Sequence, residues 1–182
     1  IQAAPRDAEP YYRMALVFVA TDNPQAAIFA LRKATELDPK HKEAQLKLAR
    51  LMAANGSREV IEQAEQRALA VLSGSGEDPD ALNTLALAEA RLGNPETAQR
   101  YLQRALAEFP EDLRSSVNLA RLKLLADDAE GAVAALKQAV ERAPGNSMPK
   151  IALGDYYLGT GRPGEARPLL EAALRQQPQN GL

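Results

Sequence analysis

The single histidine, His41, lies in the run Asp38-Pro39-Lys40-His41-Lys42. Imidazole suits proton transfer near neutral pH, but general-base work needs a neighbour that orients the ring and a pocket that excludes water. A Pro-Lys-His-Lys connection supplies neither, so a solvated loop histidine is expected. One His and no Cys fall short of the ligand set a tetrahedral metal site takes, and the absence of Cys also removes thiolate catalysis and disulfides. Paired carboxylates occur at Asp78/Asp80 and Asp127-Asp128. Each pair falls at an expected helix start, where negative charge complements the helix dipole. The glycine-rich stretch Gly159-Thr160-Gly161-Arg162-Pro163-Gly164 lacks the Lys-Ser/Thr of a phosphate-binding loop and suits a turn between helices. These residues imply no catalytic site, no metal and no cofactor, so the chain is expected not to be an enzyme.

The composition points to helices. Of 182 residues 46% are hydrophobic but only 4% aromatic, with no Trp, three Phe and five Tyr. Alanine and leucine make up roughly a third of the chain, well above ordinary usage. That mixture favours helix and is poor in the residues that fill sheets. A formal net charge of −2 argues against a nucleic-acid groove or a polybasic membrane patch. No run of 18 apolar residues is present, so insertion into a bilayer is not expected. The start, Ile-Gln-Ala-Ala-Pro-Arg-Asp, has neither an initiating Met nor a signal-peptide pattern, and is expected to belong to an excised piece of a longer product. The lack of Cys leaves the bacterial cytoplasm and the periplasmic side of the envelope both open.

The elements that hold these residues follow from a proline ruler. Pro5 and Pro39 lie 34 residues apart, as do Pro110 and Pro144, and Pro144 and Pro178. A sustained period of this size signals stacked units that cannot bury their own apolar face alone. With each proline at position 32, units begin at Ala8, Lys42, Pro79, Leu113 and Ser147, the second carrying three extra residues. Position 8 then holds Ala15, Ala49, Ala86, Ala120 and Gly154, and position 20 holds Ala27, Ala64, Ala98, Ala132 and Ala166. Position 7 holds Met14, Leu48, Leu85, Leu119 and Leu153. Position 24 holds Leu31, Ala68, Leu102, Leu136 and Leu170, and position 27 holds Ala34, Val71, Ala105, Ala139 and Ala173.

These aligned positions resemble the tetratricopeptide repeat (TPR), with its pattern W-x2-L-G-x2-Y, A-x3-F, then A and P. The resemblance covers nearly the whole chain and implies an all-α fold, a right-handed α-solenoid of about five antiparallel helix pairs. The expected organisation is a tail of a preceding repeat at 1–7, repeats at 8–41, 42–78, 79–112, 113–146 and 147–180, and a truncated end at 181–182. The aromatic places are thinly filled: position 4 has Tyr11, Gln45, Leu82, Ser116 and Lys150, and position 11 has Glu89 and Lys123 in the third and fourth repeats. The middle of the array is therefore expected to pack loosely.

Local chemistry agrees with two helices per repeat. Asn23-Pro24 and Asn94-Pro95 read as an N-cap followed by proline at the first helical position, Asp128 caps the equivalent helix, and Arg162-Pro163 keeps only the proline. Pro10 and Pro149 fall in a first turn, where the missing donor is tolerated. Pro168 lies deeper, predicting a kink or a late helix start. The three extra residues of the second repeat are expected around Asn55-Gly56-Ser57, a turn signal. Ser73-Gly74-Ser75-Gly76 reads as a loose connection between repeats, or as a hinge between halves Ala8–Leu72 and Pro79–Gln177.

The family resemblance also implies where a partner binds. First helices line an inner, concave wall, to which positions 2, 5, 9, 12 and 13 contribute. The partner-binding candidates are Tyr12, Leu16, Arg50, Asn83, Leu87, Arg91, Arg121 and Asp155. The Lys/Asn clamp that some members use for carboxylate tails is missing, since Lys47 and Asn118 lack their companions. What remains is an apolar wall studded with arginines, suited to a peptide or protein segment with acidic groups, or a wall that only packs neighbouring helices. The implied function is a non-catalytic interaction scaffold. The alternative is a regulatory or targeting arm of a larger enzyme, or of a bacterial envelope export or assembly system, whose long TPR arrays this sequence resembles in texture. A helical-repeat RNA reader would need a basic surface, which the net charge of −2 opposes. Both ends look cut, predicting further repeats or end-to-end association.

Overall fold

The computed structural model describes residues 7–176. Pro5, Pro178, the expected truncated end, and all but Asp7 of the expected leading tail lie outside the described residues. The described residues form ten helices and no strand: α1 (Glu9–Ala20), α2 (Pro24–Leu37), α3 (Lys42–Asn55), α4 (Arg58–Ser75), α5 (Pro79–Leu92), α6 (Pro95–Glu108), α7 (Leu113–Leu125), α8 (Ala129–Arg142), α9 (Ser147–Gly159) and α10 (Pro163–Gln176). Contacts divide the chain into two compact units, Ile1–Tyr101 and Leu102–Leu182, the division falling within α6. In the first unit α1 packs on α2, α2 on α3, α3 on α4, and α5 on both α3 and α4. In the second, α7 packs on α8, α9 on α10, and α9 on both α7 and α8.

Small residues let the helices of a pair approach. Ala15, Ala27, Ala49, Ala64, Ala86, Ala98, Ala120, Ala132 and Ala166 are all buried, as is Gly154. A side chain larger than methyl at these places would hold the axes apart and leave voids on either side. Gly154 shows how close the approach becomes: a Cβ there would lie 2.7 Å from a methyl of Leu170 on α10. Leucines fill the space between the alanine contacts. Leu31 and Leu48 anchor a cluster of α1–α5 residues, Leu85 joins Leu46, Ala68 and Ala81, and Leu136 with Leu153 centres the second unit.

Helix starts follow the expected chemistry. Asn23 accepts the Ala26 N–H at 3.1 Å, Asp78 that of Ala81 at 2.9 Å, Asp112 that of Ser115 at 3.1 Å, and Asp128 that of Gly131 at 2.8 Å. The turns inside the helix pairs put one residue in the left-handed region: Asp22 (φ 53°), Gly93 (φ 91°), Asp127 (φ 58°) and Gly161 (φ 71°). Asp and Gly tolerate that conformation better than most residues, which is why these types recur there.

The second helix pair departs from the sequence expectation. Its turn is short, with Gly56 extended and Ser57 preceding α4, and the three extra residues are not a loop. They form an added first turn of α4, which is 18 residues long against 14 for α2, α8 and α10. The turn needs Gly56, because a Cβ there would sit 2.5 Å from Val60 Cγ1 and 2.6 Å from the Met52 carbonyl oxygen. Nor is Ser73–Ser75 a loose connection. α4 runs through it, Ser73 and Ser75 donating their hydroxyls to the Leu69 and Val71 carbonyls at 3.0 and 2.8 Å. The chain leaves the helix only at Gly76 (φ 78°), and the units divide elsewhere than at this segment.

Of the two readings of Pro168, the late start is excluded, since α10 begins at Pro163 and carries Pro168 inside it. One further expectation is corrected. The third repeat is not loosely packed, for α5 buries Ala81, Leu82, Asn83, Thr84, Leu85, Ala86, Ala88 and Glu89. Its acidic residue is accommodated by a neighbour: the Asn94 amide donates to Glu89 Oε2 at 2.7 Å. Polar residues in the missing aromatic places are likewise satisfied. Gln45 donates to the Pro39 carbonyl and accepts from Arg67, and buried Lys150 donates to the Pro144 carbonyl and to Gln176.

Two substitutions probe this packing. Ala86→Leu overfills a helix contact and is expected to lower unfolding free energy by about 1–3 kcal/mol in urea titrations. Pro168→Ala restores a donor to the Gly164 carbonyl on an exposed face and is expected to raise it by about 1–3 kcal/mol.

Candidate functional site

The eight candidate residues all fall on first helices of pairs, and each unit holds its own set. In the first unit Tyr12 and Leu16 share one face of α1 at i, i+4 spacing, with Val19 a turn further. Leu16 is 37% exposed and Val19 is exposed beside it. Arg50 on α3 and Arg91 on α5 are exposed. Leu87 is half-buried against the first core cluster. Asn83 is only 6% exposed and spends its amide on the Pro79 carbonyl at 2.8 Å, so little of it faces outward. Tyr12 is half-buried against the same cluster, its ring 4.8 Å from the His41 ring.

In the second unit Arg121 on α7 and Asp155 on α9 are exposed. Around Asp155, the exposed Met148, Ile151 and Leu158 form an apolar stripe along α9. Met148 and Leu158 stand at repeat positions 2 and 12, among those the resemblance assigns to the wall, but nothing in their types showed that they are left uncovered. Exposure of large apolar side chains in a row is the feature that separates a contact surface from ordinary packing.

His41 is the residue that sequence reasoning misjudged. It is not a solvated loop residue. Its side chain is 14% exposed, and its Nδ1 accepts the Ala44 N–H at 3.4 Å as the N-cap of α3. Nε2 lies 3.5 Å from Glu9 and Nδ1 3.3 Å from Glu43, so one ring links α1, α3 and their connection. The signal was present in the period: His41 occupies the place that Asp78, Asp112 and Asn146 fill before α5, α7 and α9, and those three are caps. The ring borders an open cleft of about 640 Å³ lined also by Asp7, Glu9, Asp38, Lys40 and Glu43.

Charge in this region is paired. The Arg13 guanidinium holds the Glu9 carboxyl below its ordinary range, and His41 adds to the effect. Burial pushes the Tyr12 phenol up, with the carboxylates of Glu43, Glu9 and Asp80 acting in the same direction. Lys42 bonds Asp78 at 2.6 Å, which raises the Lys42 ammonium. Among the described residues no group of His, Asp and Glu side chains has the arrangement to hold a metal ion, and no helix is long and apolar enough to cross a membrane. His41→Ala removes a cap and a ring contact together and is expected to cost about 1–2 kcal/mol by urea unfolding. His41→Asn should recover part of that loss, because it restores the acceptor without the ring.

Comparison with known proteins agrees with this geometry. The family profile described as the cytochrome c-type biogenesis protein H TPR domain matches residues 1–116, and one described as tetratricopeptide repeat matches residues 89–147 and 123–182. No curated protein is similar enough in sequence to count as a match. Among solved structures, TTC0263, a thermophilic TPR protein of Thermus thermophilus, is 22% identical with a TM-score of 0.80, over 95% of this chain and 93% of that one. PilW, described as a widely conserved type IV pilus biogenesis factor, is 17% identical with a TM-score of 0.71, over 97% and 80% of the two chains. YrrB, described as a TPR protein with an unusual peptide-binding site, is 22% identical with a TM-score of 0.54, over 96% and 89%. These likenesses establish the fold, an all-α solenoid of helix pairs. With more than half its length matched, the chain belongs to the family of the cytochrome c-type biogenesis protein H TPR domain.

Proposed function

We propose that this chain is a non-catalytic docking module that holds a protein segment against its first helices during c-type cytochrome biogenesis, the process named for its family. The observation that carries the reading is the exposed apolar row on first helices. Leu16 and Val19 are exposed on α1, and Met148, Ile151 and Leu158 are exposed on α9, where Pro149, Lys150, Leu153, Gly154 and Tyr157 are buried. Arg91 on α5 and Arg121 on α7 are exposed and suit carboxylates on a segment, while Asp155, within the α9 row, suits a cation. Tyr12 and Leu87 form a half-buried floor, and Arg50 and Asn83 take supporting places on α3 and α5. An amphipathic or extended segment that sets apolar anchors at regular spacing matches this arrangement. The peptide-binding description of YrrB, a protein of the same fold, supports it.

The repeat boundaries belong to the same proposal: 8–41, 42–78, 79–112, 113–146 and 147–180. They are supported by caps His41, Asp78, Asp112 and Asn146, each of which closes one interval and starts the first helix of the next.

The test uses peptides tiled across a c-type cytochrome polypeptide, titrated by fluorescence anisotropy. A binding tile is expected whose affinity falls at least about tenfold, or ~1.4 kcal/mol, with Leu16→Asp or Ile151→Asp. Thermal unfolding is measured for each variant, and loss of binding counts where the variant is still folded at the binding temperature. Arg32→Ala on α2 serves as the control and should leave binding intact. The reading fails if no tile binds, or if the control weakens binding as much as the first-helix variants do.

A further inference from the structure

Several cations of this chain are matched by carboxylates: Arg13 by Glu9, Lys42 by Asp78 and Lys123 by Asp128. Arg67 on α4 departs from that pattern. It is half-buried and donates from Nη1 to Gln45 Oε1 at 2.7 Å, a neutral acceptor that leaves its charge uncompensated. Gln45 is fixed in turn by its bond to the Pro39 carbonyl. Among the described residues no carboxylate pairs with Arg67. The charged group that faces it is a second guanidinium, that of Arg32 on α2. Burial first, and Arg32 after it, push Arg67 below the ordinary arginine range. Arg32 is exposed and likewise has no ion pair among the described residues, and Glu36, one turn along α2, is bonded to Lys33 at 2.7 Å. Helices α2 and α4 both pack on α3, so the two guanidiniums belong to a junction between two complete helix pairs.

We propose that Arg32 and Arg67 form an oxyanion site on the first unit and that its ligand is a phosphate group. Two like charges, one of them partly withdrawn from water, repel, and a bound anion relieves that repulsion. The planar guanidinium fork matches the paired oxygens of carboxylate and phosphate alike. Charge decides between them. A phosphate monoester carries about two negative charges near neutral pH and neutralises both guanidiniums, whereas one carboxylate leaves a positive charge over. The bond to Gln45 fixes Arg67 before any ligand arrives, so binding has to order only Arg32. Free phosphate and a soluble phosphate ester share this chemistry. The site lies on second helices, apart from the apolar rows of the first helices, and does not depend on what those rows hold.

Arginine side-chain Nε–H signals of the isotope-labelled full chain, followed by NMR, test this. Sodium phosphate is titrated at neutral pH, with sodium acetate and sodium chloride at equal ionic strength as references. The Arg32 and Arg67 signals are identified by their loss in Arg32→Gln and Arg67→Gln. Both are expected to shift and saturate with phosphate at a concentration at least about tenfold lower than with acetate. Exposed Arg100 and Arg175 should show no saturation, and in either variant the remaining arginine of the pair should lose it. If Arg67→Gln loses helical signal by circular dichroism, Arg32→Gln, at an exposed position, decides alone. Glucose 6-phosphate distinguishes the source. Saturation at a lower concentration than phosphate assigns a soluble ester as the ligand, and saturation at an equal or higher one assigns phosphate itself. Absence of saturation with phosphate overturns the proposal. So does acetate that saturates as readily as phosphate, or an Arg67 signal that still saturates in Arg32→Gln.

Discussion

The structure depends on one constraint, the close approach of paired helices over a methyl group. Burying Ala15, Ala49 and Ala120, with Ala27, Ala64 and Ala132 on the partner helix, sets the distance between the axes of α1 and α2, α3 and α4, and α7 and α8. Once that distance is set, the leucines a turn away meet at van der Waals contact, and the core becomes a succession of thin layers. Alanine and leucine supply most of these layers in a chain that is 46% hydrophobic and 4% aromatic, with Tyr157 the aromatic buried among them. Where the family pattern calls for an aromatic, this chain uses hydrogen bonds. Gln45 and Lys150 each bond a proline carbonyl in the connection before their own helix. Among the described residues no buried side-chain polar atom is left without a partner, so these exchanges leave no desolvated group uncompensated.

What the sequence made legible follows from that constraint. Alanine at fixed spacing has one physical meaning in a helical repeat, and Asn, Asp and Pro before an apolar run have one meaning at a helix start. The positions of the helices were therefore readable to within a residue or two. The second pair was misread for an equally physical reason. Three residues are close to one helical turn of 3.6, so α4 can absorb them as an added turn while Ala64 stays on the buried face. Composition gave no warning, because Asn55-Gly56-Ser57 looks like a loop whether it holds two turn residues or five. Ser73-Gly74-Ser75 misled in the same way. Local propensity favours a break there, but serine hydroxyls can bond within a helix, and the packing of Val71 and Leu72 on α5 keeps the segment wound.

The candidate site was legible only in outline. Period and family resemblance put the eight residues on first helices, but whether a side chain faces water depends on neighbours from other repeats. Asn83 is drawn inward by the Pro79 carbonyl, and Tyr12 is drawn onto His41. His41 itself acquires its role from Glu9 and Tyr12, which belong to the preceding helix pair and stand about thirty residues away in sequence. No reading of the Pro-Lys-His-Lys run by itself could have supplied those partners.

This division between packed and unpacked positions separates stability from recognition. A first helix such as α9 is held on two sides, by α10 of its own pair and by α7 and α8 of the pair before it, and its buried residues have little freedom to change type. The remaining face is narrow, and a residue there contributes little to folding. Leu16, Ile151 and Leu158 keep 37%, 39% and 50% of their surface in water, and that part gives no folding free energy. Their apolar surface yields free energy only when another surface removes it from water. The same physics that stacks one pair on the next therefore leaves on the first helices the kind of surface that a bound segment, rather than the fold, would cover.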